Sequence, residues 1–369
     1  MDTRLNETQE MLRASAREFL SENCPSRTIR EVRKSGQGCP PELWRQFGEL
    51  GWLGLALPEA AGGSGMSFLD LCLLIEELGY ACVPSPFADV TAGAGLLLAE
   101  AGADAHQETL ERVATGDCIL TPALDGCRDA EGFSELPEVT RDGDAFMLNG
   151  TQLFVDHGAS ASHFLCSARS AESTSAAALL LVPADSEGVR VTSLDSAFDN
   201  RPCRIDFERV RIPASTLVIE GQSSTPMIER ARQRMDVARC MDSVGALTWV
   251  LEDTVSYASE RRQFGQPIGA FQVLQHYCAD MHVMLEALRM STYHAAWRIS
   301  EELDAGRDIA IACACAHQVI PRFMGLAHQV HGAMGVTYEH DLYLYSTHVT
   351  APGHGLAPLT GYLESALIR

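Results

Sequence analysis

The sequence predicts an α+β protein in three consecutive parts: a helical domain over residues 1–116, a β-barrel over 117–220 and a helical bundle over 221–369. Three features carry that prediction. Apolar residues recur at helical spacing through the first third, the period falls to two between Asp117 and Ile219, and helical spacing returns after Thr225.

In the first part Met11, Leu12, Ala16, Phe19 and Leu20 share a helical face across residues 8–20, and residues 43–50 and 68–79 repeat the pattern. The glycine-rich run Leu57-Pro58-Glu59-Ala60-Ala61-Gly62-Gly63-Ser64-Gly65-Met66-Ser67 reads as a loop, with Ser67 placed to cap the next helix. In the second part residues 145–148, 153–155, 178–182, 189–191 and 205–207 read as strands, with Asn149-Gly150 as a hairpin turn. A block of about a hundred residues suits a small sandwich or barrel. In the third part Thr225-Pro226 reads as an N-cap followed by proline at the first helical position, and only Gly245 interrupts the helix that runs to Glu260. Further helices are expected over 271–303 and 307–329, joined by Asp304-Ala305-Gly306, the second kinked at Pro321. Long helices joined by short loops pack as an antiparallel bundle.

Composition bounds the function. A formal charge of −21 disfavours nucleic acid or an anionic membrane surface as partner, and 46% hydrophobic residues supply a full core. No uninterrupted apolar run approaches the ~20 residues of a membrane span. The start, Met1-Asp2-Thr3-Arg4-Leu5-Asn6-Glu7, lacks the basic-then-apolar order of a signal peptide, so a cytoplasmic location is expected. Twelve cysteines without a CxxC pair read as buried thiols rather than a disulfide framework. Cys313 and Cys315 are two apart on an expected helix and point to different faces, so no metal site is expected there.

The segment Ser259-Glu260-Arg261-Arg262-Gln263-Phe264-Gly265-Gln266-Pro267-Ile268-Gly269, followed by Phe271-Gln272 and Ala279-Asp280-Met281, resembles the signature of the acyl-CoA dehydrogenase family. Residues 58–65 match the family's Pro-Glu-x-x-Gly-Gly-x-Gly loop. Gln329-Val330-His331-Gly332-Ala333-Met334-Gly335 matches its Gln-x-x-Gly-Gly-x-Gly segment, with Ala333 at the second glycine, and Val210-Arg211-Ile212-Pro213 closes the β block. The resemblance covers nearly the whole chain. It implies an α-helical domain, a β-barrel and a four-helix bundle around FAD. It also implies contacts across a subunit interface: Arg261 to the pyrophosphate of a partner's FAD, Gln272 and Gln329 toward its nucleotide part, with Phe264, Gly332 and Ala333 in the same elements. The residues themselves suit that task, since Arg261 offers fixed positive charge and the turn after Gln329 offers backbone donors. An Arg-Arg pair at a helix end also serves the helix dipole, and a glycine-rich turn also ends a helix.

The resemblance further implies a glutamate base, partly desolvated, that takes the α-proton of a fatty acyl-CoA while the β-hydrogen leaves as hydride to the flavin. Its two positions in the family fall near His354 and near Met235, and neither is a glutamate. Asp236, the adjacent carboxylate, is the candidate base; turned about 100° from Met235 on a helix, it reads otherwise as a helix residue paired with Arg232 or Arg239 at ion-pair spacing. The β block departs as well. Leu120-Thr121-Pro122-Ala123-Leu124-Asp125-Gly126 stands where the family shows Thr-Glu-Pro and Gly-Ser-Asp, and Phe154-Val155-Asp156 where it shows Trp-(Ile/Val)-(Thr/Ser) beside the isoalloxazine. Phe154 is either a ring-stacking residue or a core strand residue, and Asp156 brings negative charge to where reduced flavin builds its own.

Kept and lost motifs together point to one subunit of a heteromeric α2β2 acyl-CoA dehydrogenase acting on bulky acyl-CoA thioesters, steroid side chains among them. Its expected partners are the acyl-CoA substrate, a homologous subunit and an electron-transfer flavoprotein-like acceptor. Two other readings are a self-sufficient homotetramer with a relocated base and a non-catalytic scaffold that keeps the fold.

Overall fold

A computed structural model describes residues 4–35, 38–102, 104–124, 127–128, 134–170, 177–196, 201–221 and 223–350. In chain order the helices are α1 (Glu7–Asn23), α2 (Ser26–Ser35), α3 (Pro41–Glu49), α4 (Phe68–Tyr80), α5 (Leu96–Gly102), α6 (Gln107–Thr115), α7 (Ser224–Glu260), α8 (Gln272–Ser300), α9 (Gly306–His331) and α10 (Leu342–Thr350). The strands are β1 (Leu120–Ala123), β2 (Cys127–Arg128), β3 (Ser134–Glu135), β4 (Glu138–Asp142), β5 (Ala145–Val155), β6 (His163–Ser170), β7 (Ala177–Pro183), β8 (Val189–Ser193), β9 (Cys203–Pro213), β10 (Leu217–Glu220), β11 (Arg262–Gln263) and β12 (Gln266–Pro267). Two compact units result, one from Met1–Ser35, Ser67–Pro84 and Asp236–Arg369, the other from Gly36–Met66 and Ser85–Met235.

The first unit is helical and α4 is its innermost element. Ser67 caps it as expected: its Oγ accepts the Asp70 N–H at 3.2 Å while Asp70 Oδ2 accepts the Ser67 N–H at 2.9 Å. Leu71, Leu73, Leu74, Ile75 and Leu78 are all buried, so the helix is apolar nearly all round. It crosses α7 at a pair of glycines. A Cβ on Gly79 would overlap the Asp242 carbonyl, and one on Gly245 would overlap the Glu76 carbonyl. Gly245, the interruption visible in the sequence, is thus a packing requirement.

Burying α4 also buries two carboxylates. Glu76 lies 3.8 Å from Arg13 and 3.7 Å from Arg289 and accepts the Tyr293 hydroxyl, while Glu77 pairs with Arg13 at 3.1 Å and with Arg17. Removing one partner of such a pair typically costs about 3–5 kcal/mol, because a charge is left uncompensated. These bonds fix α1 and α8 on α4. The third bundle helix, α9, runs unbroken through Pro321, whose ring forfeits one i→i−4 bond. Among the described residues, Gly306–Val336 is long and apolar enough to cross a membrane, but half of that apolar window is buried inside the protein, as in a core helix.

The second unit is built on one eight-stranded sheet in the order β10-β7-β6-β4-β5-β9-β8, with β1 pairing parallel to β6 off this path. Ala123, Val139, Phe146, Leu148, Phe164, Leu180, Ile205 and Phe207 belong to one core, against which Val189, Val191 and Leu217 also pack. A sheet whose strands all feed one core must curl around it. The end strands β8 and β10 do not pair among the described residues, so the expected barrel is an unclosed one.

Two local expectations need correction. Asn149-Gly150 is not a turn but a bulge inside β5: Asn149 Oδ1 accepts the Arg209 N–H at 2.8 Å, and pairing with β9 shifts register between Leu148 and Gly150. The chain turns earlier, where Asp142 faces Ala145 and Gly143 takes φ 65°. Likewise α7 begins at Ser224, so Thr225 lies inside the first turn rather than at the cap. Pro226 is tolerated there because first-turn N–H groups have no helical acceptor.

Most of the described thiols are buried as expected, but Cys39, Cys278 and Cys315 are only half-buried. Cys24 and Cys166 are pushed up to about 12 and Cys118 to about 11, chiefly by desolvation. At neutral pH these three should therefore resist iodoacetamide in the native protein and react after unfolding; alkylation of any of them before unfolding would contradict the packing. For the helix crossing, Gly245→Ala should lower the melting temperature even though alanine is favoured by about 1 kcal/mol in a free helix. An unchanged or higher melting temperature would mean α4 and α7 separate at no cost.

Candidate functional site

In the first unit, α7 ends where the signature begins. The Arg261 N–H closes the last turn on Tyr257 O at 2.8 Å, and Arg261 O accepts the Ile268 N–H at 2.7 Å. Between them β11 and β12 form a hairpin whose central residues Phe264 (φ 52°) and Gly265 (φ 83°) both lie in the left-handed region of a type I′ turn. Phe264 is 90% exposed and touches Phe271 edge-on at 6.0 Å.

A small core holds this hairpin against the end of α9. Ala258, Ile268 and Val330 are buried together, with Tyr257, Phe271, Leu274 and Tyr277 packed on them. Arg261, Gln272 and Gln329 are chain neighbours of these residues, and all three are exposed. The Arg261 guanidinium has no ion-pair or hydrogen-bond partner among the described residues, whereas Arg262 donates to Gly265 O at 3.4 Å. Gln272 and Gln329 likewise have no side-chain hydrogen bond among the described residues. After α9 the chain turns through Gly332 (φ 60°), where a Cβ would meet nothing within 4 Å. Ala333 is exposed and outside the left-handed region, so alanine fits where the family has glycine. The face therefore offers an unspent cation, two unspent amides and an open backbone turn, the donor set a dinucleotide pyrophosphate requires.

In the second unit, Phe154 is not a core residue. It is 69% exposed with φ 56°, at a register shift between Gln152 and Val155. Gln152 points inward and its Nε2 donates to Ala123 O at 3.0 Å and Ser167 O at 3.1 Å, while the Ser167 hydroxyl donates to Leu124 O at 2.7 Å. The neighbouring Thr121 hydroxyl is buried with no hydrogen-bond partner among the described residues. Asp125 and Gly126 lie outside the described residues.

Of the two base positions, His354 also lies outside them. At the other, Met235 is buried, and its sulfur sits 2.6 Å from where a Cβ on Gly93 would be. Asp236 lies 3.8 Å from Arg239 of the same helix, and Arg232 instead donates to Leu124 O at 2.6 Å. Sequence reasoning missed two further groups in the first unit. His348 pairs with Asp242 at 2.7 Å, and His331 and His340 both face Asp253. Only the fold joins them, so no local spacing could have signalled either.

Models of the acyl-CoA dehydrogenase N-terminal domain and C-terminal domain match residues 6–117 and 227–352. Acyl-CoA dehydrogenase FadE27 of Mycobacterium tuberculosis (strain ATCC 25618 / H37Rv) is 30% identical over 351 residues, 92% of this chain and 91% of that protein. The chain belongs to the acyl-CoA dehydrogenase family. Members are FAD-dependent oxidoreductases acting on a CH–CH bond. Among solved structures, the ChsE4-ChsE5 complex from Mycobacterium tuberculosis superposes with a TM-score of 0.90 at 28% identity, covering 99% of this chain and 97% of that one. A variant of the Tcur3481-Tcur3483 steroid acyl-CoA dehydrogenase gives 0.87 at 27% identity, covering 98% and 96%.

Proposed function

We propose that this chain is one subunit of a heteromeric FAD-dependent acyl-CoA dehydrogenase that introduces an α,β double bond into a bulky acyl-CoA thioester such as a steroid side chain, passing electrons to an electron-transfer flavoprotein. One observation carries the reading: Arg261, Gln272 and Gln329 stand exposed and unspent around one small core, while Met235 occupies a position where the family keeps its base. The two heteromeric relatives support it by analogy.

Bound FAD would supply the hydride acceptor for the substrate's β-hydrogen. This chain's residues hold rather than react. Arg261 sets a full positive charge against the pyrophosphate, and Gln272 and Gln329 supply amides to the nucleotide part. Met235 accepts no proton, and Asp236 is committed to Arg239, so the α-proton goes to a carboxylate of the partner subunit. A second reading, a self-sufficient homotetramer, is supported by Phe154, whose ring is exposed and open to stacking by a planar group.

Flavin absorbance separates the two. The chain purified alone should carry little FAD, and co-expression with a homologous subunit should give a yellow complex; a stoichiometric yellow homo-oligomer with full turnover would favour the second reading. In the assembled enzyme Arg261→Ala should lose flavin affinity about ten- to a hundredfold and Arg262→Ala far less, the worth of one charge-assisted contact. Equal losses after gel filtration would mean the wrong arginine was chosen. Asp236→Asn should leave turnover within a few fold, since removing a true general base costs on the order of a hundredfold or more. A collapse in turnover with flavin still bound would put the base on this chain.

A further inference from the structure

Under the exposed turn Gly332–Val336 lies a polar cluster that the signature leaves unexplained. His331 is 3% exposed, with Nδ1 at 2.9 Å from Ala327 O and Nε2 at 3.2 Å from Asp253 Oδ2. Its ring stacks on Tyr257 at 4.5 Å and meets His340 edge-on at 4.7 Å, and the Tyr257 hydroxyl donates to His331 O at 3.5 Å. His340 Nε2 stands 4.0 Å from the same Asp253 oxygen, while His340 Nδ1 accepts the Leu342 N–H at 3.1 Å.

One oxygen and two nitrogens within 4.8 Å of one another have the spacing of a metal site. The hydrogen bonds argue otherwise. Because His340 Nδ1 is an acceptor, its ring proton sits on Nε2, and burial, the larger cause, together with His331 holds this imidazole below its ordinary range despite Asp253 and Asp341. A protonated nitrogen offers no lone pair to a metal. At His331 both partners, a carbonyl and a carboxylate, only accept, so both ring nitrogens must donate.

We propose that His331 is a positioning residue: clamped as a two-donor ring between Ala327 O and Asp253, it fixes the backbone that presents Gln329, Gly332 and Ala333 to the flavin dinucleotide. The proposal rests on the reading that this face meets FAD. The titratable groups facing the ring are Asp253 and Tyr257 from α7, His340 from beyond the turn and His328 one turn back on α9, with Asp341 and Arg30 behind His340.

Asp253→Asn and His331→Asn test this in the full chain, in the assembly that binds FAD. Amide exchange over residues 329–335 should quicken about tenfold, the worth of one lost charged hydrogen bond, while α4 and α8 stay protected. FAD affinity should fall by a similar factor in both variants. Unchanged exchange over 329–335 in both variants would overturn the clamp. Faster exchange with unchanged FAD affinity, joined by unchanged affinity in Arg261→Ala, would instead overturn the reading of this face as a flavin contact.

Discussion

Every fourth residue of α7 from Gly245 onward carries a separate task in the first unit, and the unit depends on that row. Gly245 admits α4, Trp249 stacks on Tyr345 of α10 at 3.9 Å, Asp253 and Tyr257 grip His331, and Arg261 stands free at the end. Residues four apart form one ridge that winds slowly round a helix. With a rise of 1.5 Å per residue, Gly245 and Arg261 are about 24 Å apart along the axis. The register of α7 against α4 is therefore set at the glycine crossing and felt at the exposed arginine. The cost of that crossing is visible in Glu76 and Glu77, which Arg13, Arg17, Arg289 and Tyr293 must compensate.

The start of α7 explains the lost base in the same physical terms. Met235 is accommodated because Gly93 has no side chain: a Cβ there would lie 2.6 Å from the Met235 sulfur. Asp236 is the neighbouring carboxylate in the sequence. It points about 100° away, and Arg239 already pairs with it. What the chain keeps is therefore complementary to what it lacks: fixed positive charge and backbone donors in one unit, no glutamate at either base position.

Periodicity made most of the fold legible, because α1, α4, α7, α8 and α9 each bury a regular apolar face or core. It missed α2, whose ten residues bury only Ile29 and Val32, and the wide turn at Asp89–Gly95, where small residues carry no pattern. Asn149-Gly150 misled because the same dipeptide serves a hairpin and a bulge, and only the carboxamide's bond to Arg209 distinguishes them. The exposed half of the site was legible as a motif. Its buried half was not: Asp253 and His331 are 78 positions apart in sequence, and their meeting is a result of helix packing.

Two exposed phenylalanines are the remaining anomaly, one in each unit. Phe154 and Phe264 both hold positive φ, a conformation costing on the order of 1 kcal/mol for a bulky residue, and both leave most of the ring in water. Neither cost is recovered within its own unit, since Phe264 gains only an edge contact with Phe271. Fully burying a phenylalanine side chain contributes about 1.5–3 kcal/mol, more than the strain. Association or cofactor binding is the process that supplies such a cover. That accounts for aromatic rings held outward in both units, and it makes the proposed assembly the state in which these two residues cease to be a cost.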